Sequence, residues 1–244
     1  MPRVLLSDRP PTHEISQRLH DFTEEMPWER RSILTFVAEV AAATPAGGRV
    51  ADVGAGSAPY AELFQHADYV RIDWEASPHD EARESGIIAS AEEIPVDGES
   101  FDVVLLTQVL EHVSDPVAVL REQRRVLRPG GLIALTVPLV WELHELPHDY
   151  FRYTREGVES LLSRAGFVDV EVCARNDCFT TLAQLMRNFR ATMGRADDGL
   201  DARRDAVGEA LADLAEQVAD LAPLDVARIF PLGYAATGRR DAAE

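Results

Sequence analysis

The chain contains 244 residues, of which 46% are hydrophobic, so it is long enough for one sizeable α/β domain with an appended piece. Its 24 basic residues against 42 acidic ones give a formal net charge of -18, which repels phosphate backbones and anionic membranes and argues against nucleic acid and membrane partners. The two cysteines do not make a disulfide framework, and the sequence shows no secretory signal and no run of about 18 apolar residues, so we expect a cytoplasmic protein.

The first 46 residues are expected to form an arm and a helix ahead of the main domain. Four prolines stand among polar residues in the stretch 1–29, which predicts an irregular backbone. Apolar residues recur through 28–43, where the pattern predicts a helix that leads into the first strand. We therefore separate residues 1–46 from a core at 47–176 and 226–240.

The most informative segment is a glycine turn after a short apolar strand. Residues 48–53 are predicted to be the strand, which contains Asp52, and Gly54 and Gly56 follow it in a turn expected to open a helix. Glycine adopts backbone angles closed to other residues and lets a ligand approach the main chain. A dinucleotide fingerprint would need a third glycine where this chain has Pro59. The turn indicates an adenosine-containing cofactor, although an ordinary strand-to-helix turn would look similar by itself.

A second predicted strand, 69–73, ends in an acidic residue at an informative distance. Asp73 lies 17 residues after Gly56, close to the spacing at which a carboxylate meets ribose hydroxyls. Such a carboxylate accepts two hydroxyl hydrogen bonds and repels a 2′-phosphate, so an unphosphorylated ribose is expected. A solvated acid at the end of a strand is the alternative interpretation.

Strands and helices alternate through the rest of the core. Further strands are predicted near 86–90, 101–107, 132–137, 167–173 and 227–238, and this alternation favours a parallel sheet with helices on both faces. Between the last two strands, residues 177–225 carry apolar side chains at helical spacing and predict two helices. These helices either pack as plain core, or they form a lid over the substrate pocket or a homodimer interface. The second helix has a predicted seam of Val207, Leu211, Leu214, Val218 and Leu221.

Five motifs in order carry a family resemblance that runs from about Arg49 to Val172. They are the glycine turn after Asp52, the acid Asp73, the segment Ala89 to Pro95, the strand 101–107 with Gln108 to His112 after it, and Leu127 to Gly131. In these motifs the chain resembles the class I S-adenosylmethionine-dependent methyltransferases, and Tyr150 to Thr154 resembles the small-molecule, type 11-like subgroup. The resemblance implies a doubly wound, seven-stranded, mostly parallel Rossmann-like sheet with an antiparallel last strand and the helical insert between strands six and seven.

The resemblance also implies S-adenosylmethionine as the cofactor and assigns residues to it. Gly54 and Gly56 would border its methionine part, Asp73 would hold the ribose, and Trp74 would lie against adenine. Ser90 and Ala91 would meet the adenine edge, although relatives often have Asp where this chain has Ser90. The arm formed by 1–46 would fold over the cofactor. The full implied set is Asp52, Gly54, Ala55, Gly56, Asp73, Trp74, Ser90, Ala91, Glu92, Thr107, Gln108 and His112.

The loop after strand five contains a pattern that can mislead. His144-Glu145-Leu146-Pro147-His148 matches the H-E-x-x-H pattern of zinc proteases, which works only on a helix, where positions four apart share a face. Here it follows a strand, and Pro147 opposes a helix. We therefore predict no metal ligands, with metal-assisted transfer through His144, His148 or Asp149 as the minor alternative.

The same loop is the expected site of the chemistry. Loops after strands four and five meet at the carboxyl edge of the sheet, where ligands bind in open α/β folds. An imidazole there suits a general base, because histidine is the side chain that ionises nearest neutral pH. His148 is the first candidate and His144 the second. The predicted substrate-binding residues are Trp141, Tyr150, Phe151 and Tyr153.

Together these patterns predict methyl transfer from S-adenosylmethionine to an oxygen or nitrogen of a small molecule, by in-line displacement. Methylation of carbon on the same fold remains open, as does a non-catalytic protein that binds S-adenosylmethionine or acts as a scaffold. A nicotinamide-dependent oxidoreductase is disfavoured, since the third glycine is absent at position 59.

Overall fold

A computed structural model describes residues 15–81, 86–193, 201–224 and 228–243. Within these ranges seven strands form one sheet in the order β3-β2-β1-β4-β5-β7-β6. Pairs among β1 to β5 are parallel, while β7 runs antiparallel to β5 and β6. This confirms the predicted doubly wound sheet with an antiparallel last strand. The strands are β1 Arg49–Val53, β2 Asp68–Asp73, β3 Ile87–Ile88, β4 Phe101–Thr107, β5 Leu127–Pro138, β6 Val168–Arg175 and β7 Gly233–Arg239.

Six α-helices in the described ranges surround this sheet, and none of them is long and apolar enough to cross a membrane. Alternate side chains of the central strands enter two separate cores. Val104 and Leu106 point into a core with α3 and α4, whereas Val103 and Leu105 point into a core with α2. The helices are α1 Gln17–Glu25, α2 Pro27–Ala43, α3 Pro116–Val126, α4 Arg155–Arg164, α5 Cys178–Met193 and α6 Asp201–Ala219.

Several local predictions differ from the structure. Within the arm predicted to be irregular, residues 17–25 form α1, and residues 1–14 lie outside the described ranges. After the glycine turn the chain forms a 3-10 turn, Ala61–Phe64, instead of a regular helix. The last strand begins at Gly233, six residues later than predicted; residues 225–227 lie outside the described ranges, and 228–232 are not strand. Pro231 has no amide hydrogen to give to a strand ladder, and Ile229 is 83% exposed. The prediction therefore began this strand too early because it relied on hydrophobic residues alone.

The helical insert contains the two predicted helices, but the predicted seam is only partly buried. Val207, Leu214 and Leu221 are each more than 40% exposed. The buried positions of α6 include the small residues Gly208 and Ala215. A Cβ atom at position 208 would lie 3.4 Å from Cγ of Arg190 on α5, so the small side chain lets the two helices approach closely. Periodicity predicted the helix, but small residues determine its packing face.

A buried ion pair ties α2 to the end of β6. Arg175 donates from Nη2 to Oε1 of Glu29 at 3.0 Å and from Nη1 to Oγ of Ser32 at 2.9 Å, and its side chain is only 3% exposed. A Cβ atom on residue 233 would lie 2.6 Å from Nη2 of Arg175, so Gly233 makes room for the guanidinium. The pair holds a helix from the start of the chain against the carboxyl edge of the sheet.

Replacing Arg175 with Met is expected to lower the free energy of unfolding by roughly 3 kcal/mol, because Glu29 would be left as a buried charge without its partner. Urea unfolding measures this loss. The matched control is Arg155→Met, which breaks an exposed pair with Glu159 and should cost under about 0.5 kcal/mol. Equal losses in the two variants would show that the buried pair contributes no more than a surface pair.

Candidate functional site

A cavity of about 730 Å³ opens at the carboxyl edge of the sheet, within the size range of small-molecule and cofactor sites. Its walls come from the loops after β1, β2, β3, β4 and β5 and from α1 and α2. The predicted residues that line it are Gly54, Ala55, Gly56, Asp73, Trp74, Ser90, Ala91, Glu92, Thr107, Gln108, His112, Trp141, His144, His148 and Tyr150.

The glycine turn has the backbone that only glycine adopts readily. Gly54 and Gly56 have φ angles of 72° and 51°. A Cβ atom at position 54 would lie 2.5 Å from Cγ2 of Val109, so the turn packs directly against the segment after β4. The backbone amides of Gly54 and Ala55 both donate to the carbonyl of Ile72, which fixes the turn to β2. The main chain of the glycine turn therefore faces the cavity and is held in place by β2.

The acid at the end of β2 stabilises the same turn. Oδ2 of Asp73 accepts a hydrogen bond from the amide of Gly56 at 2.7 Å, and Oδ1 accepts one from the amide of Trp74 at 2.8 Å. Each carboxylate oxygen has a further lone pair for a ligand hydroxyl. Ser90 also lines the cavity, and its Oγ accepts from the amide of Glu92 at 3.2 Å.

Three predicted site residues do not line the cavity. Asp52 is buried behind the turn, where the hydroxyl of Tyr69 donates to its carboxylate and burial raises its pKa to about 6. Tyr153 is also buried, and its hydroxyl donates to the carbonyl of Leu110 at 2.6 Å. Phe151 is partly exposed and packs against Tyr153. The strand pattern identified the segments correctly, but these side chains point away from the cavity.

The predicted set missed residues that line the cavity from the helical arm and two loops. Phe22, Met26 and Ile33 form an apolar wall, and His79 and Glu145 face each other across the cavity at 3.7 Å. The Glu145 carboxylate raises the pKa of His79 above its usual range. The family resemblance implied that the arm covers the cofactor, but the sequence could not show which face of its helix lines the cavity. The additional lining residues in α1 and α2 and between them are Phe22, Met26, Glu29, Arg30 and Ile33.

Three histidines meet in the loop after β5 and beside it. Nδ1 of His112 lies 2.7 Å from the carbonyl of His148, and the His112 and His144 rings are 4.7 Å apart. The ring of His148 lies edge-on to Trp74 at 5.2 Å, and its Nδ1 is 3.3 Å from the Tyr150 hydroxyl. His148 is therefore on the Trp74 side of the cavity, while His144 is beside His112.

His144 lies beside a buried carboxylate. Its backbone amide donates to Oδ2 of Asp149 at 3.0 Å, and its Nδ1 is 3.2 Å from the carbonyl of Glu142 and 3.5 Å from Oδ2 of Asp149. Arg152 donates to both oxygens of Asp149, at 2.6 and 2.9 Å, and holds the pKa of that carboxyl down at about 2. Asp149 is thus a fixed negative charge next to the His144 ring.

The H-E-x-x-H segment is not a zinc-protease helix, because the loop that contains it has no helical turn. In the described part of the chain, the group of side chains with metal-ligand spacing is Glu111, His112 and His144, whose ligand atoms lie within 4.8 Å of one another. In this group His112 also faces Glu145 at 3.8 Å, and His144 faces Asp149 at 3.5 Å. Asp149, named in the minor alternative, is bound to Arg152.

Glu111 is the most isolated acid at this site. Its side chain is fully buried, and neither carboxyl oxygen has a hydrogen bond partner among the described residues. Burial raises its pKa to about 8, while its own backbone carbonyl accepts the amide of Tyr150. Glu111 is therefore a neutral acid at neutral pH, behind the histidines.

Comparisons with known proteins agree with this geometry. Residues 51–135 match a family model described as a methyltransferase domain. The chain is 32% identical over 195 residues to a ubiquinone biosynthesis O-methyltransferase of Cereibacter sphaeroides, across 66% of this chain and 75% of that protein. A solved SAM-dependent methyltransferase from Archaeoglobus fulgidus superimposes with a TM-score of 0.57 at 18% identity, across 90% of this chain and 98% of that one. The [4+2]-cyclase SpnF gives 0.52 at 25% identity, across 84% and 80%.

Proposed function

This chain belongs to the class I S-adenosylmethionine-dependent methyltransferases, and we propose that it methylates a hydroxyl oxygen of a small aromatic molecule, with His144 as the general base. S-adenosylmethionine is the cofactor, and when bound it supplies a methyl group already activated by a positive sulfur. The protein must therefore mainly align the acceptor and remove its proton. The observation that carries the proposal is an imidazole in the cavity beside a buried, ionised carboxylate.

The residues of the cavity suit the cofactor. The positive φ angles at Gly54 and Gly56 would expose main chain to the methionine part, and the turn is held in close contact with Val109, where a Cβ atom at position 54 would collide. Asp73 would accept from the ribose hydroxyls, and Trp74 would cover the adenine. Ser90 would meet the adenine edge through its hydroxyl. The remaining cavity, walled by α1, α2 and the loop after β5, is left for the acceptor.

Contacts of the two candidate histidines favour His144 over His148 as the base. His148 lies against Trp74, on the side that we give to adenosine. His144 lies deeper, with 29% of its side chain exposed, and its Nδ1 is held near the Glu142 carbonyl. A proton on Nδ1 leaves the lone pair of Nε2 free for an acceptor hydroxyl. The presence of such a base supports oxygen as the methylated atom. A hydroxyl needs a base to take its proton, whereas an amine can bind already deprotonated.

The proposed reaction is a single displacement. The acceptor O–H bond breaks as its proton moves to Nε2 of His144, and the new O–C bond forms as the methyl C–S bond breaks. The electron pair of that C–S bond remains on sulfur, which becomes a neutral thioether. Aromatic side chains of Phe22, Trp141 and Tyr150 would hold a flat acceptor in line with the methyl group.

A product assay tests the proposal. The protein is incubated with S-adenosylmethionine and one of phenol, aniline or indole, and mass spectrometry locates the added methyl group. We expect transfer to the phenol oxygen. Transfer only to the aniline nitrogen or to an indole carbon would contradict O-methylation, and S-adenosylhomocysteine binding without any transfer would favour a binding protein. The acceptor panel therefore separates the candidate chemistries.

We also propose that residues 1–46 cover the cofactor and that residues 177–225 form a homodimer interface. Val207, Leu214 and Leu221 are exposed at intervals of seven on or just after α6, a spacing typical of helix pairing. Light scattering should then report twice the chain mass for the native protein. The double variant Val207→Lys and Leu214→Lys should be a monomer, and a monomeric native protein would rule the dimer out.

Replacing Gly54 with Ala is expected to weaken S-adenosylhomocysteine binding at least tenfold. The positive φ angle alone costs about 1–2 kcal/mol for a residue with Cβ, and the new atom would collide with Val109. Calorimetry measures the affinity. Gly47→Ala is the matched control, since Gly47 also has a φ of 73° but has no atom within 4 Å of a new Cβ. Equal affinity losses in both variants would contradict a specific role for the turn.

A further inference from the structure

We propose that Asp149 is a positioning residue for methyl transfer, which holds the proton of the His144 ring on Nδ1 and thereby keeps Nε2 free for the acceptor. This inference rests on the proposed role of His144 as the base. It assigns a function to a buried carboxylate that does not itself line the cavity.

The first support is the way in which Asp149 contacts His144 twice. Its Oδ2 accepts the backbone amide of His144 at 3.0 Å and lies 3.5 Å from Nδ1 of the same residue. The Glu142 carbonyl, 3.2 Å from Nδ1, is also an acceptor. Two acceptors around Nδ1 favour a proton on that nitrogen, and the tautomer of a histidine follows from the partner of its other nitrogen. Nε2 has no hydrogen bond partner among the described residues.

The second support is that Asp149 is itself fixed. No part of its side chain is exposed, and Arg152 binds both of its oxygens in a fork. Arg152 also donates to the carbonyls of Trp141 and Glu142, at the start of the loop. One arginine therefore joins the two ends of this loop and orients the carboxylate. The base and its partner are thus held as one unit on a closed loop.

The third support is the charge around His144. Asp149 and Glu145 are the acids whose negative charge acts on this ring: Arg152 holds the pKa of Asp149 down, and a hydrogen bond with His79 lowers the pKa of Glu145. Glu111, on the other side, is neutral at neutral pH. His112 is the other titratable neighbour, at a ring distance of 4.7 Å. A fixed negative charge at Nδ1 stabilises the imidazolium that forms when the acceptor loses its proton.

A nuclear magnetic resonance measurement tests the tautomer without any acceptor. In protein labelled with ¹⁵N in histidine, we expect neutral His144 to carry its proton on Nδ1. Asp149→Asn should shift that proton toward Nε2, because the variant lacks the negative charge beside Nδ1 that favours a proton there. Glu142→Gln, which changes another acid of the same loop, should leave the tautomer unchanged. An unchanged tautomer in Asp149→Asn would overturn the proposal.

A rate measurement separates positioning from a merely structural role. Phenol needs a base, whereas 4-nitrophenol ionises near neutral pH and does not. Asp149→Asn should lower the rate with phenol at least 30-fold and the rate with 4-nitrophenol less than threefold. Equal losses with both acceptors would indicate a general structural defect and overturn the proposal.

A double-mutant cycle distinguishes this proposal from the proposed function. If Asp149 acts through His144, adding Asp149→Asn to His144→Gln should change the phenol rate less than twofold further. Multiplied losses in the double variant would reject the positioning role and leave His144 as the base. A normal rate in His144→Gln alone would instead reject the base, and with it the reason for the positioning role.

Discussion

Replacing His144 with Gln is expected to lower kcat with a phenol acceptor by a factor of roughly 100 to 10,000, the usual contribution of a general base. Glutamine retains polarity and approximate size but cannot take up the proton. Because the glycine turn and Asp73 are untouched, the affinity for S-adenosylhomocysteine should remain within about twofold. Initial rates under saturating cofactor, together with calorimetry, measure both quantities.

The matched control for this prediction is His148→Gln. His148 is on the same loop and lines the same cavity, but its ring lies against Trp74. We expect it to change the affinity for the cofactor more than kcat. If His148→Gln instead lost the rate and His144→Gln did not, the two histidines would exchange roles, and the base would be the more exposed of the two.

The free energy of unfolding is expected to fall as pH rises from about 5 to 8, mainly because of Glu111. Its folded-state pKa of about 8 lies above the usual value of 4.5, so the folded protein keeps a proton that the unfolded chain has released. The contribution of Glu111 to the free energy of unfolding is therefore present in full below its pKa in the unfolded chain. It is lost as pH rises through its pKa in the folded protein. One such group lowers the free energy of unfolding by about 4 kcal/mol across this pH range. Asp52, with a pKa of about 6, adds a loss of the same sign that ends near pH 6.

Glu111→Gln should remove most of the slope between pH 6 and 8, since the amide resembles the protonated acid and does not ionise. Urea unfolding of the cofactor-free protein at several pH values measures the slope. Glu159→Gln replaces an exposed acid on α4 and should leave the slope unchanged. His79, whose pKa is raised by Glu145, keeps a smaller slope of the same sign in both variants. An identical slope in native protein and Glu111→Gln would disprove the assignment.

The side of the cavity that we propose for the cofactor was predictable as cavity lining, because its residues belong to short, local motifs. Gly54 and Gly56 lie in the turn after β1, and Asp73 is the last residue of β2, so the ends of the two strands bring them to the same edge of the sheet. Asp52 shows the limit of this reasoning. Alternation along β1 turns its side chain behind the turn toward Tyr69, although the next residue, Val53, lines the cavity.

The acceptor side was less predictable, because its contacts join distant parts of the chain. Glu29 and Arg175 are 146 residues apart, and no local pattern marks them as partners. The loop after β5 was recognised from its aromatic and histidine content, but the pairing of Asp149 with Arg152 decides which histidine has a carboxylate beside it. Pattern therefore identified the loop, and only tertiary structure distinguished its two histidines.

The cavity walls come from two separate parts of the chain, and this affects how the substrate specificity of the enzyme could be altered. The segment that matches the family model, 51–135, contains the glycine turn and Asp73. Phe22 on α1, Met26 between the two helices and Ile33 on α2 lie outside that segment, yet they line the same cavity. Substitutions on these helices could thus reshape the acceptor space while the cofactor site stays intact. A library confined to α1 and α2 is accordingly the economical starting point for redirecting the enzyme to new acceptors.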